Sequence, residues 1–230
     1  MSELSLRKSI IKYSKLLNQT NLTPLRSGNI SIRFKDGFLI TPSGMKYKNL
    51  QPKDIVFVNL KGILKKGKNK PSSEWRFHKD IYIDKKDSKA IVHCHSKHAL
   101  ILSCFVKRIP SFHYMVAVAG GEDIKCAKYA TYGTSELSKN IIKALRGRNA
   151  CLIGNHGQVS FSNSLSKAFE LAQEVEYLSE QYLGCLRTGK PKILSKSQMT
   201  KVLLKVKNYK QDWKKVDNIE SRYIPRLIGS

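Results

Sequence analysis

The sequence predicts an α/β fold in which a central, mainly antiparallel sheet is flanked by helices. Three observations predict it. Apolar stripes at helical spacing interleave irregularly with short β-rich runs, and tight turns such as Lys35-Asp36-Gly37 make neighbouring strands antiparallel. The 230 residues suit a single domain whose core needs no disulfide or metal staple, and the chain carries no internal repeat.

Leu6, Ile10, Tyr13 and Leu17 recur at four, three and four residues, which predicts an N-terminal helix. Ile30 and Ile32 alternate with Ser31 and Arg33, and Phe38 to Ile40 follows the turn, so the two runs read as a hairpin extended by Ile55 to Leu60. Ser73 to Ile83 reads as a helix with Ser72 or Ser73 as its cap, then Ala90 to His95 as a strand and Lys97 to Phe105 as a helix. Thr134, Leu137, Ile141 and Leu145 mark a further helix that Gly147 stops, before strands at Ala150 to Ile153 and Gln158 to Phe161. The stripe from Leu165 through Phe169, Val175 and Tyr182 makes Ser164 to Leu186 the longest helix, and Lys196 to Tyr209 is the last. The reading divides the chain into a domain at 1–208 and a basic, mobile tail at 209–230, where Pro225, Gly229 and many charges show no periodicity.

Lys and Arg number 42 against 17 Asp and Glu, a formal charge of +25 that draws polyanions and small anionic substrates alike. No aromatic-and-basic reader motif accompanies that charge, so a specific nucleic-acid site is disfavoured and a lysine-rich solvated surface is the plain reading. Cys94, Cys104, Cys126, Cys151 and Cys185 are odd in number and lack Cys-x-x-Cys spacing; they read as buried free thiols of a reducing cytoplasm. Met1 to Arg7 has no apolar signal core and no later run reaches spanning length, so the expectation is a soluble, cytoplasmic protein without membrane partners.

The chemistry-bearing residues cluster in three places. In His93-Cys94-His95 a β-strand would send both imidazoles to one face and Cys94 to the other, a two-point grip for a metal, although paired histidines are also ordinary polar residues. His156, in the glycine-flanked link Gly154-Asn155-His156-Gly157, can be aimed at the same point, and three neutral imidazoles with an open fourth position form a catalytic zinc arrangement. Pro71-Ser72-Ser73-Glu74-Trp75 offers two hydroxyls and a carboxylate at a helix start, which suits phosphate or simply an N-cap. Gly28-Asn29 and Thr41-Pro42-Ser43-Gly44 are either further anion-binding loops or plain turns.

Several blocks in the same order resemble the class II aldolase and adducin head family over nearly the whole chain. They include Ser27-Gly28-Asn29-Ile30-Ser31, Ile40-Thr41-Pro42-Ser43-Gly44, Pro71-Ser72-Ser73-Glu74-Trp75-Arg76-Phe77-His78 and Val92-His93-Cys94-His95. Ile109-Pro110-Ser111-Phe112-His113-Tyr114-Met115, Tyr129-Ala130-Thr131-Tyr132-Gly133-Thr134 and Asn155-His156-Gly157 continue the match.

The resemblance implies a three-layer α/β architecture and a zinc-dependent aldehyde-lyase that splits a phosphorylated ketose into dihydroxyacetone phosphate and an aldehyde. It implies one Zn2+ per subunit on His93, His95 and His156, with Glu74 as a ligand of the empty metal and then as proton carrier. Gly28, Asn29, Ser43, Gly44, Ser72 and Ser73 would cradle the phosphate. Tyr114 would reach in from a neighbouring subunit of a homotetramer to handle the proton on the aldehyde oxygen, and Tyr209 in the tail matches a position that assists closure. Ser43 stands where relatives carry threonine, and Tyr132 where they carry phenylalanine, which leaves the aldehyde open. A ribulose-phosphate 4-epimerase of the same fold places aspartate where Glu74 stands, and an adducin-like interaction module would have lost zinc ligands; the glutamate and the three histidines argue for cleavage.

Overall fold

Each helix rests on one apolar stripe. The computed structural model describes residues 2–63 and 69–208. Its helices are α1 (Glu3–Gln19), α2 (Trp75–Asp84), α3 (Lys97–Ser103), α4 (Ser135–Ala144), α5 (Leu165–Thr188) and α6 (Lys196–Asn208). Ser2, Thr134 and Ser164 cap α1, α4 and α5 by accepting the N–H groups of Ser5, Leu137 and Lys167. The start of α2 differs from the expectation. Glu74 stands at its N-cap with no side-chain cap, and Ser72 Oγ accepts the Glu74 N–H at 3.3 Å, which turns the serine loop into the helix.

The strands are β1 (Asn29–Phe34), β2 (Gly37–Ile40), β3 (Val56–Asn59), β4 (Ala90–Cys94), β5 (Arg108–Ile109), β6 (Ile124–Ala127), β7 (Ala150–Ile153) and β8 (Gly157–Ser162). They form one sheet in the order β3-β2-β1-β4-β8-β7-β6-β5. The sheet is mixed, where the sequence reading expects it mainly antiparallel: β6 and β7 run parallel, because the connection between them crosses over through α4.

Three layers result. On one face Leu6, Ile10 and Leu17 of α1 and Ala168, Phe169 and Ala172 of α5 pack on Ile30, Ile32, Val92 and Cys94. On the other, Phe77 and Ile81 of α2 and Leu137 and Ile141 of α4 pack on Phe38, Ile40, Ile91 and Val159. A third cluster joins Leu102 of α3, Val175 and Leu178 of α5 and Met199 of α6 to Ala150 and Leu152 of β7. Among the described residues no helix is long and apolar enough to cross a membrane.

All five cysteines are free, and Cys94 and Cys151 are buried as expected. Cys104 is exposed and Cys126 and Cys185 are half-buried, which corrects the expectation that all are interior. Cys104 sits on the C-cap of α3, where the chain leaves the core.

Candidate metal centre

The site grows from the middle of the sheet. β4 is buried along its whole length, and its alternation sends Val92 and Cys94 into the α1–α5 layer while Ile91 and His93 face α2. Phe77 meets the His93 ring edge-on at 5.5 Å. His95 continues the alternation one step past the strand end. The link between β7 and β8 brings His156 to the same place, held by a bond from its N–H to Ile153 O at 3.0 Å. The closeness has a sequence cause: a Cβ on Gly157 would lie 2.5 Å from Cys94 O, so only glycine lets the link press on β4.

The three ring centroids stand 4.8–4.9 Å apart. Glu74, at the head of α2, completes the group: its Oε2 lies 3.1 Å from His93 Nε2 and its Oε1 3.3 Å from His156 Nε2. One ligand atom from each of Glu74, His93, His95 and His156 lies within 4.8 Å of every other. The donor chemistry of this group fits a cation. His93 Nδ1–H donates to Gln158 O at 2.8 Å, which leaves Nε2 as the nitrogen that faces the cluster, with His95 Nε2 3.1 Å from it. Two imidazole nitrogens and a carboxylate this close need positive charge among them, which a proton on His93 Nε2 supplies and a metal ion in its place would supply more strongly. Glu74 Oε1, moreover, is buried and receives no hydrogen bond.

Electrostatics point the same way. Burial alone would raise the Glu74 pKa, but the neighbouring His93 charge and hydrogen bond, with His156 and Asn29, bring it to about 2. Burial would lower His93, and Glu74 reverses the sign and raises it. Burial and the other imidazoles push His95 down to about 3 and His156 to about 4, so both offer lone pairs at neutral pH.

A cavity of about 380 Å³ opens above the group, with Glu74, His95 and His156 in its wall. Gly28, Asn29, Ser43, Gly44, Ser72 and Ser73 all line it, so the structure brings together every residue of the expected phosphate cradle. Two backbone bonds align the serine loops, Ser43 N–H to Lys70 O and Ser72 N–H to Thr41 O, both 3.0 Å. Gly28 presses so close to β4 that a Cβ there would stand 2.6 Å from His93 O. Tyr129 and Tyr132 line the cavity as well, both largely exposed.

Tyr114 is not among the cavity residues. It is 53% exposed and opens the turn Tyr114–Ala119, which packs with the α5–α6 layer. Tyr209 lies outside the described residues. His78, to which the sequence motifs assign no role, is buried and tied to the site through Asn29. Its spacing of four from Glu74 on one helix face was the available signal.

Fold and site together define an α/β enzyme whose cavity ends in a cluster able to hold a metal ion. Comparison with known proteins carries the class to a family. The model of the "Class II Aldolase and Adducin N-terminal domain" matches residues 8–183. The 5-methylthioribulose-1-phosphate/5-deoxyribulose-1-phosphate aldolase of Rhodospirillum rubrum is 45% identical, covering 90% of this chain and 94% of that protein. The L-fuculose phosphate aldolase of Escherichia coli is 41% identical, covering 91% of this chain and 97% of its own. A solved L-fuculose 1-phosphate aldolase superposes with a TM-score of 0.85 at 38% identity, over 88% of this chain and 96% of that one. The chain belongs to the class II aldolase and adducin N-terminal domain family, and it is an enzyme of the aldolase type.

Proposed function

We propose that the chain is a zinc-dependent aldolase that reversibly cleaves a ketose 1-phosphate to dihydroxyacetone phosphate and a small aldehyde. The observation that carries this reading is the convergence of one carboxylate and three imidazoles on the wall of a cavity lined by hydroxyls and glycine backbone. His93, His95 and His156 would hold the ion, with Glu74 as a further candidate ligand. Bound there, a divalent cation supplies Lewis-acid stabilisation of the charge that develops when the C3–C4 bond breaks.

The chain's own residues do the rest. Ser72 and Ser73, with Ser43 and the backbone at Gly28, Asn29 and Gly44, take the phosphate and fix the donor half in register. Glu74 moves the C3 proton as general acid and base, since it alone of the cluster is a carboxylate and it borders the cavity. The active unit is a homotetramer in which Tyr114 of a neighbouring subunit handles the aldehyde-side proton. The exposure of Tyr114 and its absence from the lining of its own cavity support that arrangement.

For the substrate, L-fuculose 1-phosphate with L-lactaldehyde as product is one reading, supported by the relative at 41% identity. A 5-deoxy or methylthio ketose 1-phosphate is the other, supported by the relative at 45%. A coupled assay for dihydroxyacetone phosphate release across a panel of ketose 1-phosphates decides between them. Epimerisation of a ribulose phosphate without aldehyde release would overturn the aldolase reading.

A further inference from the structure

A buried line of hydrogen bonds runs behind the carboxylate that the proposed chemistry uses. Asn29 and Ser31 occupy alternate positions on β1 and face α2, where Glu74, His78 and Tyr82 recur every four residues. The period of two on the strand thus meets the period of four on the helix. All five side chains are almost fully buried: Asn29 and Glu74 are 4% exposed, Tyr82 1%, Ser31 and His78 0%.

Each bond in the line fixes the direction of the next. An ionised carboxylate only accepts, so at 2.9 Å Glu74 Oε2 must face the Asn29 amide nitrogen. The Asn29 oxygen then points at His78 Nε2, 2.5 Å away, and that nitrogen must carry the hydrogen. Burial, with the nearby His93 charge, brings the His78 pKa to about 3, so the ring is neutral and its Nδ1 is a lone pair. Nδ1 accepts from the Ser31 hydroxyl at 2.7 Å, and Ser31 Oγ accepts from Tyr82 O–H at 2.8 Å. Every donor in the line points toward the carboxylate, an arrangement in which successive bonds polarise one another.

We infer that His78 is a positioning residue for Glu74, acting through Asn29, with Ser31 and Tyr82 selecting its tautomer. Without the His78 Nε2–H the Asn29 amide loses the partner that holds it nitrogen-first toward the carboxylate. Turned over, the amide would present its oxygen to Glu74, and the carboxylate would swing away from the imidazoles. This inference rests on the reading that Glu74 is the proton carrier.

The test compares two isosteres. In His78→Gln the side-chain amide reaches the Nε2 position and can still donate to Asn29; in His78→Asn it reaches only the Nδ1 position. Both are measured for kcat and KM on the ketose 1-phosphate cleaved best by wild type, for zinc retention against a chelator, and for melting temperature. His78→Asn is expected to lower kcat about 10- to 100-fold, with KM within about threefold, and to weaken zinc retention by about tenfold. His78→Gln is expected to recover most of both losses. Should His78→Asn not fold, Ser31→Ala carries the test, with kcat about three- to tenfold lower because Nδ1 is no longer pinned.

Equal losses in Gln and Asn variants that merely follow melting temperature would overturn the inference, as would a folded His78→Asn protein matching wild type in kcat and zinc retention. If wild type releases no dihydroxyacetone phosphate from any sugar, the aldolase reading fails instead. The positioning claim then stands or falls on whether Asn weakens zinc retention and Gln restores it.

Discussion

The two faces of β4 are made of consecutive residues and do opposite work. Ala90, Val92 and Cys94 disappear into the apolar layer formed by α1 and α5. Ile91 and His93, one step out of phase, meet α2 and the carboxylate at its head. The apolar face sets the strand's depth and register, because a slip of one residue would exchange the two sets of side chains. Packing on one side therefore aims the imidazoles on the other.

Substitutions should separate the two faces. His93→Ala has the largest expected effect: metal content falls from about one per subunit toward none and turnover falls to background, read by metal analysis and aldol assay. Glu74→Gln comes next, with turnover down about 10²- to 10⁴-fold while the metal stays bound. Turnover close to wild type in that variant would remove Glu74 from the chemistry.

Acid should act on the helix-facing side as well. His78 is depressed in the folded state from 6.5 to about 3, so between those values the unfolded chain takes up a proton that the folded chain refuses. Its share of stability is therefore intact above pH 6.5 and is lost progressively as pH falls below that value. Denaturant melts from pH 7 to 4 should show a shallower decline in His78→Gln than in wild type. The smallest effect belongs to the apolar face. Val92→Ala should cost about 2 kcal/mol of stability with kcat unchanged well below the melting temperature; a large fall in kcat would show the faces to be coupled.

Much of this was legible in the letters because it rests on local periods. The stripes of α1 and α5 and the alternation of His93 and His95 are visible in one dimension, and the glycine-flanked His156 stands out as an aimed side chain. Glu74 and the phosphate loops became specific only through the order of blocks along the chain. β5 and β6 escaped notice because β5 has two residues and β6, Ile124–Ala127, holds a single β-branched residue, and with them went the parallel pair. The line from Tyr82 to Glu74 was hidden for another reason. Ser31 and His78 are 47 residues apart, and their spacings gain meaning only when β1 and α2 are packed together. The expected tail at 209–230 lies outside the described residues.

The most direct measurement is to strip the protein of metal, return zinc in steps, and record dihydroxyacetone phosphate release at each step. Activity should be absent at the start, rise in proportion to added ion, and level off at about one equivalent per subunit. Full activity in the stripped protein would contradict the account.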